Sequence, residues 1–233
     1  MSAKPNYLLV GSGRLARHME RYFQTEGLAF RRWSRKDGTR LEDAARPCTH
    51  VWILISDGQI QDFISENARA LSARKLLHAS GALTIEGADS VHPLASFTEA
   101  PLSVEFYRSV PFVTETGREP FGSVFPDLKN PSAATSSKDR AYYHALCVSA
   151  GNFTSLLWNE TAKRFESRLK LEPEILLPYL ESIVRGIQAN PKDSLTGPLA
   201  RGDVKTIEAN LAALKGDPLE GIYRAFLKLN GLG

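Results

Sequence analysis

The stretch Tyr7-Leu8-Leu9-Val10-Gly11-Ser12-Gly13-Arg14-Leu15-Ala16 decides the fold. An apolar run passes without a polar break into G-x-G-x-x-A, and His18-Met19-Glu20-Arg21-Tyr22-Phe23 continues in a helical pattern. A buried strand, a tight turn and a helix start read in that order, as at the opening of a dinucleotide-binding βαβ unit. Gly11 permits the sharp turn, Gly13 lets backbone approach a pyrophosphate, and Ala16 lets helix and strand pack closely. Ser12, Arg14 and Leu15 complete the turn, where the unpaired N–H groups of the first helical residues face an anion.

Working outward, strand and helix signals alternate. Residues 14–26 read as a helix stopped by Gly27, and residues 28–33 as a second strand. Val51-Trp52-Ile53-Leu54-Ile55 is a continuous apolar run, expected of a strand buried on both faces. A helix over 59–73, a strand over 75–79, and short strands near Ser90-Val91 and over 110–113 follow. Residues 117–138 are rich in Pro, Gly and Ser and lack a period, which predicts a crossover with room for one more short strand.

Beyond the crossover the pattern is helical. Tyr143, Leu146, Cys147 and Ala150 form one stripe, and Leu176, Leu180, Ile183, Val184 and Ile187 another. Asp203 reads as the N-cap of a helix carrying Val204, Ile207, Leu211 and Leu214; Asp217-Pro218 opens a last helix. The expected fold is α/β: a Rossmann doubly wound parallel sheet over residues 1–138, then an all-helical domain over 139–233.

Composition narrows the partners. Of 233 residues, 42% are hydrophobic and 24% charged, the balance of a soluble globular chain. A net charge of +3 is too small to argue for nucleic acid, and no basic run carries interleaved aromatics. Cys48 and Cys147 lack metal-site spacing and read as ordinary reduced thiols. No stretch approaches the roughly 18 apolar residues of a membrane span, and the N-terminus has no apolar signal core. A cytoplasmic protein without a metal or a membrane partner is expected.

The end of the second strand selects the nucleotide. No Asp or Glu lies between Gly27 and Lys36, where an acidic residue would accept hydrogen bonds from the adenosine ribose of NAD. Ser34, Arg35 and Lys36 stand there instead, a hydroxyl and two cations that suit a 2′-phosphate. NADP is therefore the expected cofactor, with Asp37 the opposing feature and a solvated basic strand end the plain alternative. Ser56-Asp57-Gly58 follows the third strand and would line the nicotinamide side; Ser80-Gly81 follows the fourth.

The strings His78–Leu83 (HASGAL) and Ser90–Phe97 (SVHPLASF), Ala141-Tyr142-Tyr143-His144 with Gly151-Asn152-Phe153, and Leu195–Asp203 (LTGPLARGD) carry a resemblance over nearly the whole chain. The sequence resembles the family that pairs a Rossmann-like domain with a DUF2520 helical domain. That family is similar in layout to pyrroline-5-carboxylate and ketopantoate reductases and others of the 6-phosphogluconate dehydrogenase C-terminal-like group. The resemblance implies an NADP-dependent oxidoreductase that dimerises through its helices. The Lys-x-x-x-Asn pair of β-hydroxyacid dehydrogenases is absent, because Val148 stands four positions before Asn152.

Reduction of C=O or C=N needs a proton donor near the developing charge. His92 is the first candidate, since histidine titrates near neutrality; it precedes Pro93, and its alternative is a loop hydrogen bond. Ser80 either holds substrate or nicotinamide, or stabilises its turn. Asn152, in the helix that this layout turns toward the cofactor, offers a neutral amide to a substrate carbonyl or carboxylate. Arg201 either clamps a carboxylate or pairs with Asp203, and Thr196 shapes the same wall. His78 reads as a satisfied core histidine and His144 as structural or a dimer contact; His18 and His50 carry no special context. The combined expectation is reduction of a small carboxylate-bearing ketone or imine between the domains. A non-catalytic NADP sensor and a dimeric scaffold are the rival classes.

Overall fold

The run Tyr7–Val10 forms β1, and all of it is buried. In the computed structural model, which describes residues 4–232, β1 pairs in parallel with β2 (Phe30–Trp33) on one side and β3 (His50–Ile53) on the other. β4 (Lys75–His78) and β5 (Asp89–Ser90) complete a parallel sheet of order β2-β1-β3-β4-β5. Helices α1 (Arg14–Glu26), α2 (Leu41–Ala45), α3 (Ile60–Glu66) and α4 (Ala68–Leu71) occur in the connections.

Alternation along β1 builds two cores. Tyr7 and Leu9 pack with Met19, Tyr22, Phe23, Trp52 and Phe125. Leu8 and Val10 enter the other face with Ile53, Ile60, Phe63 and Leu71. This two-sided burial is why the first strand is apolar at successive positions rather than at every second one.

The expected single helix over 59–73 is divided at Asn67, between α3 and α4. Both the backbone N–H and the side-chain Nδ2 of Asn67 donate to the Phe63 carbonyl, at 3.2 and 2.8 Å. Such side-chain bonding competes with helix continuation. β6 (His92–Pro93), β7 (Phe112–Glu115) and β8 (Ser132–Thr135) form a second sheet, with β6–β7 antiparallel and β7–β8 parallel. α5 (Val104–Ser109) precedes β7, and α6 (Phe121–Val124) with β8 lies in the Pro-rich crossover. Phe125, just after α6, stacks on Tyr7 at 5.1 Å, so part of the crossover belongs to the core.

The remaining helices are α7 (Arg140–Cys147), α8 (Phe153–Arg164), α9 (Leu177–Ala189), α10 (Gly197–Arg201), α11 (Val204–Ala213) and α12 (Pro218–Leu229). A π-helical turn, Val148–Asn152, joins α7 to α8. The chain forms two compact units, residues 1–156 and 157–233. In the α7 stripe, Tyr143 and Cys147 are half-buried while Leu146 and Ala150 are exposed. Asp203 caps α11 by accepting from the Thr206 N–H at 3.1 Å, and Asp217 caps α12 through the Leu219 N–H at 2.8 Å. Asp217 also receives the Arg164 guanidinium at 2.8 Å, tying α8 to α12. Among the described residues, no helix is long and apolar enough to cross a membrane.

Candidate active site

Strand order reverses between β1 and β3, and a crevice opens beyond the carboxyl ends of strands at such a point. Gly11 turns the chain there with φ +137°, and a Cβ would run into the Leu54 carbonyl. Gly13 caps α1 without a side-chain bond, the first turn carries no acidic residue, and a Cβ on Gly13 would project into open space. The first donation of the helix is Arg17 N–H to Gly13 O at 3.1 Å. The earlier N–H groups therefore stand at the positive end of the helix dipole without helical partners.

A cavity of about 520 Å³ lies between Ser12, Gly13, Arg14 and Leu15 on one side and Leu54, Ile55, Ser56 and Gln59 on the other, with Phe97 as a wall. A second, of about 200 Å³, shares Ser12, Ile55 and Gln59 and reaches Gly11, Trp33, Ser34, Arg35 and Lys36. The structure thus brings Gly11, Ser12, Gly13, Arg14, Leu15, Ser34, Arg35, Lys36 and Ser56 to adjoining cavities. Ser34 is buried, and its N–H and Oγ–H donate to Asp37 at 2.6 and 2.8 Å. That leaves Arg35 and Lys36 as the exposed cations.

The Phe97 wall has a support that carried no signal in the sequence. His18 is buried, with Nδ1 2.7 Å from Tyr107 Oη and Nε2 2.8 Å from the Thr98 carbonyl. Its ring packs on Phe97 at 5.0 Å.

A second polar cluster lies on the segments after β4. Ser80 Oγ donates to Asp57 Oδ2 at 2.6 Å and accepts from the N–H groups of Ala82 and Leu83 at 3.2 and 3.0 Å. Those bonds occupy the donor and both acceptor sites of the hydroxyl. Gly81 passes so close to two imidazoles that a Cβ would come within 2.6 Å of His144 and 3.0 Å of His92. His92 Nδ1 lies 2.8 Å from Tyr143 Oη. Behind them Arg140 is fully buried; it donates to the Ser80 carbonyl at 2.6 Å and to Ser90 Oγ.

These surroundings correct two expectations. His92 does not titrate near neutrality: burial first, then the positive charge of Arg140 and the adjacent His144, lower its pKa to about 4. His78 lies in the core, as expected, but the expectation that it would be satisfied there fails: neither ring nitrogen has a hydrogen-bond partner among the described residues, and burial and Arg140 likewise lower its pKa to about 4. Arg140 was missed because nothing local distinguishes it from a solvated arginine near a helix start. Asn152 is exposed on the π-helical turn; such turns recur at functional sites. Thr196, which precedes α10, and Arg201, which ends it, lie in the second unit, and Arg201 makes no ion pair among the described residues. Among those residues there is also no cluster of metal-ligating side chains.

No curated protein matches the sequence. Three solved structures share the fold over almost their whole length. A Bacteroides fragilis protein, BF3122, provisionally described as an NADP oxidoreductase, has a TM-score of 0.74 at 18% identity, covering 97% of this chain and 98% of its own. Protein TM1727 of Thermotoga maritima has a TM-score of 0.70 at 25% identity, covering 96% of each chain. The Plasmodium falciparum pyrroline carboxylate reductase, solved with NADP bound, has a TM-score of 0.62 at 13% identity, covering 97% and 95%. The family described as "Domain of unknown function (DUF2520)" matches residues 114–229. That match follows a parallel sheet of Rossmann type, so the chain is similar to the DUF2520 family over residues 114–229.

Proposed function

We propose that this protein is a cytoplasmic NADP-dependent reductase of a small carboxylate-bearing ketone or imine. The observation that carries the reading is the β1–α1 turn: an obligatory glycine, an uncapped helix start without acidic residues, and two adjoining cavities leading to Arg35 and Lys36. The residues fit a phosphorylated dinucleotide. N–H groups of the first α1 turn face its pyrophosphate, open space at Gly13 admits it, and the two exposed cations suit a 2′-phosphate. Bound there, the nicotinamide would supply a hydride. Reductases among the structures of similar fold, one with NADP bound, support the same reading.

In this reading residues 1–138 bind the cofactor and residues 139–233 serve substrate binding and dimerisation. Ser56, Asp57 and Gly81 line the nicotinamide side, and Ser80, its hydroxyl already engaged, orients the Asp57 carboxylate. His92 supplies the proton as a neutral imidazole. Asn152, Thr196 and Arg201 hold the substrate, the last two on the strength of the sequence motif alone. Dimerisation is supported by the exposure of four large apolar residues on one helix, Leu177, Ile183, Val184 and Ile187 of α9.

The test is NADPH oxidation against a panel of small 2-oxo acids and cyclic imines. Turnover is expected with at least one member, and His92→Asn should lower it more than about tenfold while NADPH affinity is retained. Tight NADPH binding with no turnover across the panel would replace the enzyme by a nucleotide sensor.

A further inference from the structure

A neutral His92 has only the proton on one ring nitrogen to give, so a second group must restore it. Tyr143 Oη is 2.8 Å from Nδ1, and the two rings meet edge to face at 5.7 Å. Nε2 makes no hydrogen bond among the described residues. Burial, followed by the neighbouring Cys147 thiol, pushes the phenol above its ordinary range, so it remains a donor.

Arg140 adds an independent observation. It is fully buried, its polar partners are the neutral oxygens of Ser80, Ser90 and Thr114, and its Nε has none. No carboxylate forms an ion pair with it among the described residues. Its guanidinium carbon stands 5.7 Å from the centre of the Tyr143 ring. The buried Glu115, itself paired with Arg118, acts on Arg140 only from beyond ion-pair distance, so the cation keeps a desolvation cost that an anion formed beside it would relieve.

The geometry points to a two-residue proton relay, resting on the reductase reading: Tyr143 restores the proton that His92 delivers, and Arg140 stabilises the phenolate left behind. As the substrate carbon accepts the hydride pair, the C=O or C=N π pair becomes a lone pair on the heteroatom and takes the Nε2 proton. The Tyr143 Oη proton passes to Nδ1, so the imidazole is neutral before and after. Nε2 then takes one proton from solvent as the Nδ1 proton returns to the phenolate, which restores both groups. Tyr143 and Arg140 are positioning residues, since His92 alone meets the substrate.

Tyr143→Phe in the full chain tests the relay, because it keeps the ring and removes only the hydroxyl. Three readouts are taken: NADPH titration, NADPH oxidation with pyruvate and 1-pyrroline-2-carboxylate as ketone and imine probes, and the His92 tautomer from long-range ¹H–¹⁵N spectra at neutral pH. The relay predicts an Nε2–H tautomer in the wild type and a tautomer mixture in the variant. It also predicts turnover at least about tenfold lower, with NADPH affinity unchanged. An Nδ1–H tautomer in the wild type, or equal turnover in the variant, overturns the relay and leaves the reductase reading standing. A wild type that ignores NADPH removes that reading itself, and the titration shows this separately. No turnover with either probe while NADPH binds also overturns the relay, because no proton is then drawn through His92.

Discussion

At Gly11 two requirements fall on one residue: φ of +137° and a backbone approach that leaves no room for a Cβ beside the Leu54 carbonyl. Gly11→Ala must shift the turn that presents the α1 N–H groups. It should cost about 1–3 kcal/mol in stability and weaken NADPH at least tenfold, about 1.4 kcal/mol. Denaturant unfolding and calorimetric titration check these; unchanged binding would show that the turn cradles nothing. Such a residue is legible in a sequence because its constraint comes from its own φ and a near neighbour. Arg140 is the opposite case. Its partners Ser80 and Ser90 lie 60 and 50 positions away, so its burial exists only after the chain has folded.

Among the elements, β1 and β3 were readable because both faces of the sheet are covered, which forces successive residues to be apolar. The two-residue strands β5 and β6 are too short to show a period, and β8 is mostly exposed. The extra strand allowed for in the crossover is β8, held by parallel pairing to β7 rather than by a pattern of its own. The carboxyl end of β2 carries the cofactor choice. Replacing Arg35 and Lys36 together by Ala should weaken NADPH about tenfold or more while NADH affinity barely moves, because only the former has the 2′-phosphate. Equal losses for both would mean that these cations act on the shared part of the nucleotide. The nucleotide-binding half of the candidate site was readable from such end-of-strand positions; the Asp37 contact that occupies Ser34 needed the folded loop.

For the whole molecule, two histidines make folding depend on acid. His78 and His92 are both lowered to about 4 by burial first and then Arg140. In the unfolded chain each titrates near its ordinary 6.5, so between these values the unfolded state binds more protons. Stability is therefore full above about pH 6.5 and falls as pH drops toward 4, by up to about 3 kcal/mol for each ring. Thermal midpoints across that range should decline, and His78→Phe should flatten the decline; a constant midpoint would contradict the burial of both rings. The proposed reductase depends most of all on the β1–α1 turn and the basic end of β2 as a site for a phosphorylated dinucleotide. Parallel titrations of the wild-type chain with NADPH and NADH measure this directly. NADPH should bind at least about tenfold tighter; equal affinities would contradict the assigned role of Arg35 and Lys36, and no binding of either at millimolar concentration would contradict the account as a whole.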